Sequence, residues 1–266
     1  MRNIIVFGNV PLATWVVKQL NNNVNFNLVG VVCDEYSEEA FINHGMEEKS
    51  LYSYCVTNGI EIIDFVTAKD LALQKPILGI SVRYHRLFKK NYYESFTPGI
   101  INLHGGELPR YRGANIANYA VYEDAKRVGG TLHFISEGID EGNVVERVLL
   151  PIENKPTAFE FFSLTLEALQ QAFTYFLNRE DVIDSNQKII STPQVEFVKN
   201  GETDKLYFKK EIEEKRIIDF NTVKDWDELF RFARAYTFPG HKGLLIKNGE
   251  EYIEVKAVKN DTKNIK

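Results

Sequence analysis

The chain is poor in cysteine: Cys33 and Cys55 are the only two in 266 residues. Two thiols at that spacing make neither a zinc motif nor a disulfide framework, and Cys33, which closes a strand-like run, reads as a small core residue. Long apolar runs are missing too. No stretch reaches the roughly 18 consecutive apolar residues of a membrane span. The opening MRNIIVFGNVPLATW has one basic residue and no small-residue cleavage site, so it reads as a first core strand rather than a leader. Positive charge is not in excess, with 32 Lys and Arg against 37 Asp and Glu for a net charge of -5. Proteins that work on nucleic acid gather Lys and Arg for the phosphates. There is no internal repeat and no low-complexity tract. These absences predict a cytoplasmic protein that crosses no membrane and binds no nucleic acid.

What is present suits a soluble chain with one substantial core and a smaller appended domain: 44% of residues are hydrophobic and 26% charged. Short β-branched runs at residues 4–7, 28–33, 60–64, 77–82 and 100–103 alternate with helix-like stretches. Pro11 fits the first turn of one of them. That alternation predicts an α/β fold, a Rossmann-like, mostly parallel sheet covered on both faces. Residues 115–125 read as a helix, 130–136 and 144–152 as two more strands, and 157–177 as a long amphipathic helix. After about Arg179 the composition shifts. Strands are expected at 194–199, 205–208 and 217–219, a helix at 225–236, and a hairpin around Asn248-Gly249. The expected division is a larger α/β domain over 1–189 and a smaller α+β domain over 190–266.

A sheet of this kind invites a dinucleotide reading, but the first turn is Gly8-Asn9-Val10-Pro11-Leu12-Ala13. Without the second glycine of G-x-G-x-x-G the backbone cannot approach a pyrophosphate closely. The informative stretch lies later, at Ile101-Asn102-Leu103-His104-Gly105-Gly106-Glu107-Leu108-Pro109-Arg110-Tyr111-Arg112-Gly113. Asn102 and His104 are two apart at the end of a buried strand, so period-two geometry puts both side chains on one face. Ligands of open α/β sheets bind beyond the carboxyl ends of the strands. The turn Gly138-Ile139-Asp140-Glu141-Gly142 would return a carboxylate to that same end. An amide, an imidazole and a carboxylate together suit acyl transfer to an amine. The amide can donate to a tetrahedral oxyanion, worth roughly 3–4 kcal/mol at other acyl-transfer sites. The imidazole can take the proton of the attacking nitrogen, and the carboxylate can orient it and favour its charged form. Taken alone, each of these is as often a cap, a turn former or a structural group.

The stretch INLHGGELPRYRG, followed at about the right interval by GGTLHFISEGIDEGNVV, resembles the formyltetrahydrofolate-dependent formyltransferase family. Its signature is N-x-H, then L-P-x-Y-x-G, then a distant Asp after a Gly-Thr-Leu-His-like strand. The likeness extends to GISVRYHRLF upstream and to RAYTFPG near the C-terminus. The resemblance implies that Asn102 holds the oxyanion, His104 is the general base, and Asp140 supports His104 and the proton relay. It implies 10-formyltetrahydrofolate as co-substrate, held by backbone groups of Arg83, Tyr84, His85, Arg86 and Leu87 and around Gly138 and Ile139. His133, in the Gly-Thr-Leu-His strand, is read as packing beneath the site. His44 and His241 are read as exposed, and no histidine pair has metal spacing beside a carboxylate.

Gly105-Gly106 after the histidine, where many members carry Pro-Ser, resembles the branch that acts on nucleotide-linked amino sugars. The chain length and the acidic balance agree, since tRNA-directed members carry a larger, usually basic, C-terminal domain. Arg83, Arg110, Arg112 and Lys242 are candidates for a diphosphate, and Tyr236 and Phe238 for a base or sugar. The charge run 209–216 reads as a solvated face. The expected acceptor is dTDP-4-amino-4,6-dideoxyglucose, for O-antigen or other surface-glycan synthesis, with a 3-amino isomer or a UDP carrier next. A homodimer is expected. Three competitors remain: a formyltetrahydrofolate hydrolase (such enzymes usually have an N-terminal regulatory domain, and this chain opens on its first strand), a non-catalytic nucleotide-sugar binding protein, and an NAD oxidoreductase.

Overall fold

The computed structural model describes residues 2–35, 46–179 and 188–258; His44 lies outside them. The first β-branched run becomes β1 (Arg2–Gly8), whose Ile4 to Phe7 have no solvent exposure. Gly8 then turns the chain, and Pro11 opens α1 (Pro11–Asn21). There follow β2 (Phe26–Val32), α2 (Leu51–Asn58), α3 (Phe65–Gln74), β3 (Leu78–Val82), α4 (Lys90–Tyr93) and β4 (Gly99–His104). Side-chain caps from Ser50 and Asp64 start α2 and α3. Next come β5 (Arg112–Gly113), α5 (Ile116–Tyr122), β6 (Arg127–Phe134), β7 (Val144–Pro151) and α6 (Ala158–Asn178). The central sheet has the order β2-β1-β3-β4-β6-β7, parallel through β4 and antiparallel at β6 and β7.

Both faces of this sheet are covered, which is why its strands are apolar on both sides. On one face α1 and α6 pack against Val6, Ile80 and Leu132. Helix α6 begins with a reciprocal capping box between Thr157 and Glu160, and it buries Phe161, Leu169, Phe173 and Phe176. It comes so close to β6 that a Cβ on Gly130 would lie 2.5 Å from the Leu169 nitrogen, so only glycine fits there. On the other face an aromatic cluster forms around Phe7. Phe65 stacks on Tyr92 at 3.9 Å, and Tyr84 and Phe88 join them. This cluster fixes the loop that leaves β3.

The rest of the chain forms α7 (Gln194–Lys199), β8 (Leu206–Tyr207), α8 (Lys209–Glu214), β9 (Ile217–Asp219), α9 (Trp226–Ala235), β10 (Leu244–Asn248) and β11 (Glu251–Val255). A small sheet runs β11-β10-β9, with the expected hairpin between its last two strands. Two expectations are corrected. Residues 194–199 are helical, not extended: Pro193 sets the entry, and Glu196 pairs with Lys199 one turn on. Residues 60–64 form a single bridge, Ile62 to Val31, rather than a strand, because α3 starts at Phe65. The small β5–β8 pair ties this second part to the first. A second apolar cluster, built from Tyr111, Tyr119, Tyr207, Tyr236 and Leu244, spans both parts.

Candidate active site

Strand β4 ends at the carboxyl edge of the sheet, and β6 lies antiparallel beside it with Asn102 opposite His133 and His104 opposite Thr131. Cross-strand pairing therefore puts Asn102 and His133 side by side, with Asn102 Nδ2 3.2 Å from His133 Nε2. His133 Nδ1 lies 2.9 Å from the Phe134 carbonyl. That carbonyl can only accept, so Nδ1 carries a proton, and Nε2 sits between the Asn102 amide and the Asp140 carboxylate.

Asp140 enters from the turn between β6 and β7, in the left-handed region at φ 53°, a conformation that Asp tolerates better than most residues. Its carboxylate accepts from Gly113 N–H at 2.9 Å. It lies 3.4 Å from His104 Nδ1 and 3.5 Å from His133 Nε2. Burial alone would raise its pKa, but the two imidazoles and the Gly113 N–H outweigh burial and hold it well below the usual carboxylate range. His104 is buried, and its Nε2 is 2.6 Å from the Tyr111 carbonyl. That contact requires an N–H at Nε2, so the neutral ring keeps its lone pair on Nδ1, facing Asp140. Burial lowers the His104 pKa below its ordinary value, and Asp140 acts against the fall. The ring is thus neutral before it takes a proton and paired with a carboxylate after it has done so. A Cβ on Gly106 would lie 2.6 Å from both His104 Nε2 and the Tyr111 oxygen, so the glycine makes room for that hydrogen bond.

Asn102, His104 and Asp140 all line one cavity of about 1000 Å³. Arg83, Tyr84, Gly105, Tyr236, Phe238 and Lys242 also reach it. Arg83 sits at φ 50° with its guanidinium 4.7 Å from the centre of the Phe162 ring. Tyr236 is buried and donates to the Ile212 carbonyl at 2.7 Å, so it anchors the cavity wall rather than presenting a free hydroxyl. Other anticipated residues stand off the wall. His85 is exposed beside Asn9 and Asp34, and Arg86 lies over the Phe65 ring. Leu87 and Ile139 are exposed, and Gly138 lies in the turn before Asp140. Gly106 is buried beneath His104. Arg110 packs on the Tyr111 ring, and Arg112 sits between Glu141 and Asp204, its charge already balanced.

Two features were not singled out from the sequence. His133 bridges Asn102 and Asp140 instead of merely filling space, which the strand register would have revealed. The charge run at 209–216 is not all solvated: Ile212 is buried, and Glu213 and Arg216 reach the cavity wall. Among the described residues no cluster of three or more His, Cys, Asp or Glu is arranged to hold a metal. None of their helices is long and apolar enough to cross a membrane.

The model of a formyl transferase domain matches residues 2–174. By sequence, the bifunctional polymyxin resistance protein ArnA of Wigglesworthia glossinidia brevipalpis is 25% identical over 224 residues, 81% of this chain; the chain spans only 32% of that protein's length. The methionyl-tRNA formyltransferase of Finegoldia magna is 23% identical, covering 100% of this chain and 88% of its own. Among solved structures, a 4-N formyltransferase from Francisella tularensis superimposes with a TM-score of 0.72 at 17% identity, covering 96% of this chain and 97% of that one. An N-formyltransferase from Helicobacter canadensis, in complex with folinic acid and dTDP-3-aminofucose, gives 0.66 at 22% identity, covering 90% and 81%.

Proposed function

Because this chain belongs to the formyl transferase family, matched over residues 2–174, we propose that it moves a formyl group from 10-formyltetrahydrofolate to the amine of a nucleotide-linked amino-deoxysugar. The observation that carries this reading is the convergence of Asn102, His104 and Asp140 on the floor of one cavity of about 1000 Å³. The amine attacks the formyl carbon and a new C–N bond forms. The free N–H of Asn102 donates to the oxygen as it gains charge. His104 Nδ1 accepts the proton from the amine, and the imidazolium is then held by Asp140, 3.4 Å away. As the tetrahedral centre collapses, the bond to the folate nitrogen breaks and that nitrogen receives the proton. No covalent enzyme intermediate is needed.

The folate end of the cavity is the side of Arg83 and Tyr84, where the aromatic cluster fixes the loop; the related Helicobacter canadensis protein was solved with folinic acid. The acceptor enters from the side of Phe238, Arg216 and Lys242, which offer an aromatic face and cations suited to a nucleoside diphosphate. The sugar reading is favoured over a tRNA acceptor by the net charge of -5. The preferred acceptor is dTDP-4-amino-4,6-dideoxyglucose, made for a surface glycan in the cytoplasm, ahead of 3-amino and UDP-linked sugars. In this reading residues 1–189 form the catalytic unit and 190–266 a smaller domain. Two copies associate through the latter, where Trp226, Phe230 and Ile253 are exposed.

The test is to offer the purified protein and 10-formyltetrahydrofolate a panel of dTDP- and UDP-aminosugars, methionyl-tRNA and water. Mass spectrometry then finds the formylated product, and a formate assay detects hydrolysis. Formylation of a dTDP-aminosugar is expected. Formylated methionyl-tRNA alone, or formate alone, would overturn the assignment.

A further inference from the structure

Resting on the reading above, we propose that Gln194, at the start of α7, is a positioning residue that holds Asp140 in register with His104. Asp140 belongs to a short turn with glycine at 138 and 142, and its own backbone is in the left-handed region at φ 53°. Such a turn has little intrinsic preference for one geometry. Gln194 reaches it from 54 residues away. Its Nε2 donates to the Asp140 carbonyl at 2.6 Å and to the Gly142 carbonyl at 2.9 Å, so both amide hydrogens are committed to the turn. The side chain is buried, which makes an unmet donor costly and the pair of bonds directional.

Helix α7 is itself braced against the sheet. Arg147 forms a two-pronged ion pair with Glu202, 2.6 and 2.9 Å, donates to the Leu108 carbonyl, and lies 4.2 Å over the Phe197 ring. The chain just before it pairs with β7 through Thr192 and Val144. Gln194 is therefore fixed by β7 on one side and grips the Asp140 turn on the other. Nothing in its chemistry touches the reacting atoms. It acts through Asp140.

Gln194→Met keeps the length and removes both donors. The groups that face His104 are Asp140, His133 and Arg83, together with the Tyr111 carbonyl. Of these, Asp140 stabilises the imidazolium by charge, so a carboxylate free to drift lets the His104 pKa fall. The measurements are the His104 imidazole titration by NMR in the wild type and the variant, and kcat and KM with the aminosugar that the panel identifies. The expected results are a lower His104 pKa, a fall of about tenfold or more in kcat with KM changed far less, and an acid limb of kcat moved to lower pH. If Gln194→Met does not fold, Gln194→Asn keeps an amide on an arm too short to reach both carbonyls. It should show the same changes, smaller. An unmoved His104 titration and wild-type kcat in whichever variant folds would overturn the proposal. The titration needs no turnover, so a shift in a protein that formylates nothing would leave the positioning role standing and remove the transfer reading instead.

Discussion

At the scale of single residues, the proposed chemistry asks a fixed task of each polar group. The Tyr111 carbonyl accepts from His104 Nε2 and leaves Nδ1 as the proposed base. Gly106 makes that possible, since any side chain there would meet both partners at 2.6 Å. Gly106→Ala should therefore cut kcat by about 100-fold or more while the protein still folds, because a misplaced base loses most of its effect; steady-state kinetics and a melting curve together check this. The pH dependence follows from the two titrating groups. His104 has its pKa below the ordinary histidine value of 6.5, so transfer should be flat near neutrality and fall only at more acidic pH. The sign for stability is the same. Between the ordinary and the lowered value the unfolded chain binds the proton and the folded one does not, so stability declines as pH drops through that window. Asp140 adds a second loss, complete only as pH falls through its own depressed pKa. Urea melts from pH 7 to pH 4 should show a decline that is no smaller in Asp140→Asn, where the His104 pKa loses its carboxylate support and falls further. That Asn102, His104 and Asp140 meet at one sheet edge was legible from strand periodicity and a glycine-flanked turn, while the roles expected of them came from the family resemblance. The part of His133 was not legible, because it depends on which residue of β6 faces Asn102.

At the scale of elements, helix α6 and the Asp140 turn carry the geometry. The long amphipathic pattern of α6 was readable, whereas its capping box was not singled out. Removing the cap with Thr157→Ala should cost about 1 kcal/mol. Leu169→Ala, with no exposure in the wild type, should cost about 2–5 kcal/mol. Denaturant melts compare the two; Thr157→Ala should keep the kcat of the folded fraction, whereas Leu169 also lines the cavity. Helix α7 was misread as a strand because Val195 and Phe197 alternate with polar residues, a period-two pattern in a segment too short to show helical spacing. Its grip on Asp140 is a contact between residues far apart in the chain, and no local pattern encodes it. The arginines of the 110–112 stretch show the reverse limit. Arg112 reads as a phosphate ligand until Glu141 and Asp204, distant in sequence, are seen beside it.

At the scale of the whole molecule, the parallel sheet supplies the floor and one side of the cavity, and the segment after α7 supplies the opposite wall. The alternation of β-branched runs with helical stretches announced the sheet. The wall was harder to read, since Ile212, Glu213 and Arg216 come from a run that looks merely charged. The overall charge of -5 bears on the choice of acceptor. Gel-shift titration with tRNA should show no binding at physiological salt, whereas tight, salt-sensitive binding would favour the tRNA branch. The central claim is tested most directly by single-turnover formyl transfer in Asn102→Ala, His104→Ala and Asp140→Ala, with calorimetry of the unreacted sugar nucleotide on the same samples. The account predicts binding close to wild type in all three and transfer slowed by about a hundredfold or more. Transfer at near wild-type rates in any of them would contradict it.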